Sequence, residues 1–215
     1  MKTSEKTIVI LGAEGFLGKN LGKLLYAKGY TLIGIDIQKN INDSSMYKHF
    51  IQKNILDITK DDLSILDNVN EYGLINTGGV SRNGSAENMP VKSCTNTLSA
   101  YISILEELSF FPPKWIMTTS TREVDILLNN NEKISGKKQL YPIYKFTTEL
   151  ITFSYQEHWN IPVSIFRLSD IFGLEDHPSK VMQIFIRKVI KGEDISVFNP
   201  DARLFLTEVT EVCDS

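Results

Sequence analysis

IVILGAEGFLGK, residues 8–19, decides the reading of the whole chain. A run of apolar, largely β-branched residues stops at Gly12, and Gly15 and Gly18 follow at three-residue intervals. Such a run favours an extended strand. Beyond it, Leu17, Leu21, Leu24 and Leu25 recur on one face of a segment from Phe16 to Lys28, the pattern of an amphipathic helix. A strand that hands over to a helix through this spacing gives each glycine a task. Gly12 permits the tight turn, Gly15 lets backbone approach a phosphate group, and Gly18 lets the helix lie close against the strand. The N-terminus of that helix offers free N–H groups and the positive end of a dipole to an anion.

Outward from this turn, strand-like and helix-like segments alternate. TLIGID (31–36), FIQKNI (50–55), YGLINT (72–77), KWIMTTS (114–120) and VSIFRLS (163–169) read as strands. Between them the pattern predicts a short helix capped by Thr59 and containing Leu63, Ile65 and Leu66, a long helix from Val91 to Leu108, and another over 142–158. The strands are apolar runs rather than clean alternations, as expected when both faces of a sheet are covered. The fold class expected is α/β: a Rossmann-type doubly wound parallel sheet over residues 1–173, followed at 174–215 by a small, incomplete substrate lobe. That lobe is expected to hold a helix from Ser179 to Lys191 and short strands at 195–198 and 203–207.

Composition excludes several classes. A net charge of −3 supplies no basic field for nucleic acid or an anionic membrane. No apolar stretch approaches the length of a membrane span, and the start, MKTSEKT, is polar and carries no signal-peptide pattern. Cys94 and Cys213 stand apart, and His49, His158 and His177 are scattered, so neither a disulfide framework nor a metal site is expected. A cytoplasmic location fits these features.

An acidic residue at the end of the second strand completes a dinucleotide site by holding a ribose 2′-hydroxyl. Asp36 stands there, and since its carboxylate repels a 2′-phosphate, NAD is expected over NADP. Further on, Tyr141 and Lys145 stand four residues apart and share one helix face. A free tyrosine is a poor base at neutral pH. A neighbouring ammonium stabilises the phenolate, so Tyr141 can exchange a proton with a hydroxyl while Lys145 tunes it.

Together these stretches resemble the NAD-dependent epimerase/dehydratase family of the extended short-chain dehydrogenase/reductase superfamily, which acts on nucleotide sugars. The resemblance runs through ILDI (55–58), INTGG (75–79), SCTNTLSA (93–100), TTSTREV (118–124), YPIYK (141–145) and FRLSDIFG (166–173). It implies NAD contacts from Gly12, Gly15, Phe16, Leu17, Gly18, Asp36, Asp57, Ile58, Thr77, Gly78, Gly79, Asn96, Tyr141 and Lys145. It implies a catalytic set of Tyr141, Lys145 and Thr121, with Ser120 as the alternative hydroxyl. Glu123 is either a base or an ordinary loop carboxylate paired to Arg122. Substrate contacts are implied for Ser81, Arg82, Asp170 and Arg203, with Arg82 equally readable as a surface arginine.

Three departures qualify the resemblance. Asp125 stands where the family has a tyrosine, Asp170 replaces an asparagine, and the family continues well beyond position 215. Arg122, where 4,6-dehydratases carry an aspartate, argues against that reaction. The expected activity is epimerisation or dehydration of a sugar or nucleotide sugar by transient hydride transfer, in a homodimer joined through helices near 91–108 and 142–158. The alternatives are an NAD(P)H-dependent ketone or ketosugar reductase and a non-catalytic NAD-binding scaffold.

Overall fold

The computed structural model describes residues 6–39, 45–80, 83–129, 139–197 and 203–215. The chain divides between Leu168 and Ser169 into two compact units.

The first unit is built on a six-stranded, all-parallel sheet in the order β3-β2-β1-β4-β5-β6. Its strands are β1 (Thr7–Leu11), β2 (Thr31–Asp36), β3 (Tyr47–Gln52), β4 (Tyr72–Asn76), β5 (Trp115–Thr121) and β6 (Val163–Leu168). This is the doubly wound Rossmann order, which reverses direction between β1 and β4 and leaves a crevice there at the carboxyl ends of the strands. The helices are α1 (Phe16–Ala27), α2 (Asn83–Asn88), α3 (Pro90–Cys94), α4 (Ala100–Leu108), α5 (Glu123–Asn129) and α6 (Leu140–Trp159).

The alternation of side chains along a strand sends the apolar residues of β1 into two cores. Val9 and Leu11 join Ile33, Ile35 and Leu74 against Tyr101, Ile104, Leu105 and Leu108 of α4. Ile8 and Ile10 join Leu32 and Ile75 on the opposite face, covered by Leu21 and Leu25 of α1. Both faces being buried, β1 shows no polar alternation at all.

The structure departs from the sequence-based expectations in a few places. β3 begins three residues earlier than expected and ends at Gln52, because Asn54 accepts a hydrogen bond from Leu56 N at 3.2 Å and turns Ile55–Asp57 into a 3₁₀ turn. The short helix after Thr59 is replaced by a 3₁₀ segment, Ser64–Asn68. Thr59 does not cap by accepting; its N–H and hydroxyl both donate to Asp62, which also holds Lys53 at 2.8 Å. The long helix near 91–108 is interrupted by a π turn over Thr95–Ser99. α5 was not expected from the sequence.

The second unit pairs β7 (Asp170–Phe172) with β8 (Leu206–Glu208) in parallel. It adds α7 (Val181–Lys191), closed by Gly192 at φ +68°, and α8 (Val209–Asp214), capped by Glu208. The strand expected at 195–198 is absent over the described residues 195–197, which have no regular structure.

Candidate active site

The crevice between β1 and β4 is made of backbone. Gly12 adopts φ +75°, the left-handed region where a side chain is strained. A Cβ added there would stand 2.9 Å from both N and Cα of Gly78. A Cβ on Gly18 would stand 2.1 Å from the Gly12 carbonyl oxygen, so helix α1 can approach the turn only with glycine at this position. A Cβ on Gly15 would meet only the Gly12 carbonyl oxygen, at 3.1 Å, and nothing from another element. Thr77 joins the two strand ends, its N–H and hydroxyl donating to the Leu11 carbonyl at 3.0 and 2.8 Å.

Asp36 is buried at the end of β2, and its two carboxylate oxygens accept the N–H groups of Glu14 at 2.9 Å and Gln38 at 2.8 Å. It therefore holds the glycine turn against β2. Glu14, itself buried, pairs with Lys19 at 3.3 Å. Tyr47 donates to the Ala13 carbonyl at 3.2 Å, and burial followed by the charges of Glu14 and Asp36 pushes its hydroxyl well above the usual range. Ile58 is buried beneath this region, whereas Asp57 is exposed. Phe16 and Leu17 open α1 and are partly buried.

Gly78 and Gly79 follow β4. Gly78 N donates to Asn76 Oδ1 at 3.1 Å, and Gly79 takes φ +95° against Thr97. Asn96, in the π turn, lines a cleft of about 220 Å³ with Gly79, Val80, Ser85, Met89, Lys92 and Ser93. A π turn widens a helix locally and is frequent at functional sites.

The second half of the site is made of side chains on β5, α6 and β6. Pro142 sits in the first turn of α6, where its missing N–H costs nothing. Thr147, Thr148 and Thr152 return their hydroxyl protons to carbonyls one turn back at 2.8–2.9 Å, so a polar helix face can be buried. Lys145 is only 7% exposed and donates from Nζ to the Thr119 carbonyl at 3.1 Å. Burial lowers its pKa to about 8, against the opposing charge of Glu149. Tyr141, one turn earlier, is partly buried.

Neighbouring residues on β5 put their hydroxyls to different uses. Ser120 donates to Glu149. Thr121 accepts the Glu123 N–H at 3.3 Å, which leaves its own proton to donate and caps α5. Glu123 and Asp125 lie in the first turn of α5, where carboxylates are favoured by the helix dipole.

Sequence reasoning missed two members of this layer. Glu149 is buried, and Arg167 grips it with two bonds, Nε to Oε1 at 3.0 Å and Nη2 to Oε2 at 2.7 Å. Arg167 reaches Asp125 with its third bond, at 2.5 Å. The signal was present: Glu149 continues the four-residue spacing of Tyr141 and Lys145, and Arg167 is the charged residue in a strand that is otherwise apolar but for Ser164.

Of the substrate candidates, Ser81 and Arg82 lie outside the described residues. Asp170 and Arg203 belong to the second unit, both exposed, with Asp170 N donating to the Phe205 carbonyl at 3.1 Å. Among the described residues there is no cluster of His, Cys, Asp or Glu able to hold a metal, and no helix long and apolar enough to cross a membrane.

A glycine turn at the switch point of a parallel sheet, tied to an acid at the end of β2, defines a dinucleotide-binding Rossmann domain. Residues 8–207 match the NAD dependent epimerase/dehydratase family, and the chain belongs to that family. It is similar to Protein CapI of Staphylococcus aureus, 24% identical over 211 residues, covering 89% of this chain but 62% of that relative. The chain thus spans under two thirds of that relative's length. In fold it resembles a UDP-N-acetylglucosamine 4-epimerase of Methanobrevibacter ruminantium, with a TM-score of 0.81 at 16% identity over 99% of this chain and 72% of that one. It also resembles a UDP-glucuronic acid 4-epimerase of Bacillus cereus solved in complex with UDP-glucuronic acid and NAD, with a TM-score of 0.76 at 19% identity over 96% of this chain and 70% of that one.

Proposed function

We propose that this chain binds NAD and takes part in epimerisation or dehydration of a nucleotide sugar through transient oxidation at a sugar carbon. The observation that carries this reading is the contact of buried Lys145 with the carbonyl of Thr119 at 3.1 Å, which sets the Tyr–Lys face of α6 beside the end of β5 that bears Thr121.

The glycine turn fits the cofactor: added Cβ atoms at Gly12 and Gly18 would collide with backbone, while one at Gly15 would meet only the Gly12 oxygen of the turn itself, the side from which a pyrophosphate would approach. Asp36 keeps lone pairs for ribose hydroxyls after accepting two amide protons, and its charge disfavours a 2′-phosphate. Bound NAD would supply a hydride acceptor and, once reduced, a donor. Tyr141 takes the proton of the reacting sugar hydroxyl and later returns it. Lys145 holds the phenolate form by charge and binds a cofactor ribose hydroxyl. Thr121, whose proton is not committed to a neighbour on β5 or α6, donates to the sugar oxygen. Ser120 gives its proton to Glu149 instead. Asn96 and Gly79 border the 220 Å³ cleft in which the sugar would sit.

The same reading expects a cytoplasmic homodimer through α4 and α6, whose Ile102, Leu150 and Phe153 are 42%, 52% and 46% exposed. The test is turnover of a panel of UDP- and dTDP-sugars with NAD, by the wild type and by Tyr141→Phe. General acid–base catalysis is worth roughly 10²–10⁴-fold, and a loss of that size is expected. A Tyr141→Phe variant that turns over normally would refute the mechanism. Thermal unfolding with each cofactor is the companion measurement. NAD at a hundred times its dissociation constant should add about 2.7 kcal/mol of stability, and NADP should add little.

A further inference from the structure

The buried layer between β5, α6 and β6 contains more charge than proton exchange by Tyr141 requires. Lys145 has been taken almost wholly out of water, at 7% exposure, and its Nζ donates to a neutral carbonyl. Dehydration disfavours the charged form of a lysine, and only an opposite charge nearby restores it. One turn along the same helix, Glu149 is 1% exposed. It is held by three donors: the hydroxyl of Ser120 and the Nε and Nη2 of Arg167. Arg167 in turn spends its Nη1 on Asp125, on α5. Lys145 and Arg167 against Glu149 and Asp125 make a set with no net charge.

We infer that Glu149 is a positioning residue for Lys145: clamped by Ser120 and Arg167, it fixes α6 against β5 and provides the counter-charge that keeps the buried ammonium protonated at neutral pH. This deepens the catalytic reading and rests on it, because Lys145 must be charged to hold the Tyr141 phenolate. Asp125 extends the clamp to α5 and offsets the charge of Arg167.

The groups that bear on Lys145 come from every side of α6. β5 presents hydroxyls only: Thr118, Thr119, Ser120 and Thr121. α2 carries Glu87, α4 carries Tyr101 and Glu106, α5 carries Glu123 and Asp125, and β6 carries Arg167. Glu106 is engaged by Tyr155 and Tyr101 by Thr118 and Thr152, both farther along the helix. The charge that opposes the dehydration of Lys145 is that of Glu149.

The experiment needs no substrate. The intact chain is labelled with ¹³C at the lysine Cε, the Lys145 signal is identified by its loss in Lys145→Arg, and its titration midpoint is measured. In Glu149→Gln, which keeps the shape and loses the charge, the midpoint is expected to fall by about one pH unit. In Glu149→Asp, which keeps the charge on a shorter arm, it stays near the wild-type value while thermal stability drops. Loosening alone admits water and moves the midpoint up, toward that of a free lysine, so the direction separates charge from packing. Asp125→Asn, a substitution at an exposed site that leaves the fold intact, should lower the midpoint by a few tenths of a unit if Glu149→Gln does not fold. A midpoint that stays or rises in Glu149→Gln, or in Asp125→Asn when that variant stands alone, overturns the inference. The catalytic reading fails separately, by normal turnover in Tyr141→Phe, and that result leaves the titration of Lys145 as it was.

Discussion

The two halves of the site are constructed from different materials. At the β1–β4 crevice the working surface is main chain: Gly12, Gly15, Gly18, Gly78 and Gly79, with Gly12 and Gly18 packed so closely that a single methyl group collides with backbone. Between β5, α6 and β6 it is side chain: a buried lysine and glutamate with hydroxyls between them, and an arginine that reaches the glutamate from the exposed side. The first half depends on the absence of atoms, and the second on the balance of charges. A backbone cradle is thus sensitive to volume and indifferent to pH, whereas an ionic layer responds to pH.

Gly18→Ala is the largest test of that contrast. Its Cβ would meet the Gly12 carbonyl oxygen at 2.1 Å, and backbone cannot step aside as a side-chain end can. Overpacking of this kind costs about 3 kcal/mol, well above the roughly 1 kcal/mol that alanine gains over glycine within a helix. Urea unfolding should show the net loss at every pH. Gly22→Ala, one turn later, meets the Tyr47 hydroxyl at 2.9 Å and the Met46 side chain, so its loss should be clearly smaller. Equal losses at the two positions would break the picture of a cradle shaped by backbone contact.

The ionic layer should answer to pH instead. In the folded chain Lys145 titrates near 8, below the 10.5 of a free lysine. Between those values the unfolded chain binds more protons than the folded one, so stability rises with pH across that window and the penalty is fully present below it. Lys145→Met is therefore expected to be more stable than the wild type at pH 7, by at most about 3 kcal/mol. The advantage should shrink as the pH climbs from 8 to 10.5. Chemical denaturation of both proteins across that range is the measurement, and a difference independent of pH would refute the account of Lys145.

The smallest effect should come from the rim of the same layer. Asp125 is half exposed, and its pair with Arg167 is screened by solvent. Asp125→Asn should cost no more than about 0.5 kcal/mol. A cost of several kcal/mol would mean that the network is as dry at Asp125 as it is at Glu149.

These differences track how much of each half could be read in advance. The glycine spacing, the acid at the end of β2 and the strand pattern are local features, so the sheet and the crevice were legible from the start. Glu149 carried a readable spacing but no sign of its partner, since Arg167 is 18 positions away and on another element. The place of Thr121 before the Glu123–Val124 pair favours it over Ser120, but the letters say nothing of where either proton goes. Which one spends its proton on Glu149 depends on the direction each side chain takes at the end of β5. α5 was missed because its cap is a hydroxyl from the preceding strand, accepting an amide at 3.3 Å.

By itself, then, the sequence determined the alternation of strands and helices, the two-sided burial of β1 and the glycine turn. Each of these follows from steric and hydrophobic preferences that act within a few residues. Only the tertiary structure decided that a lysine and a glutamate of α6 are dehydrated together and that an exposed arginine of β6 reaches in to bind the glutamate. Charges interact through the space the fold creates, and removal of water is what gives those interactions their strength.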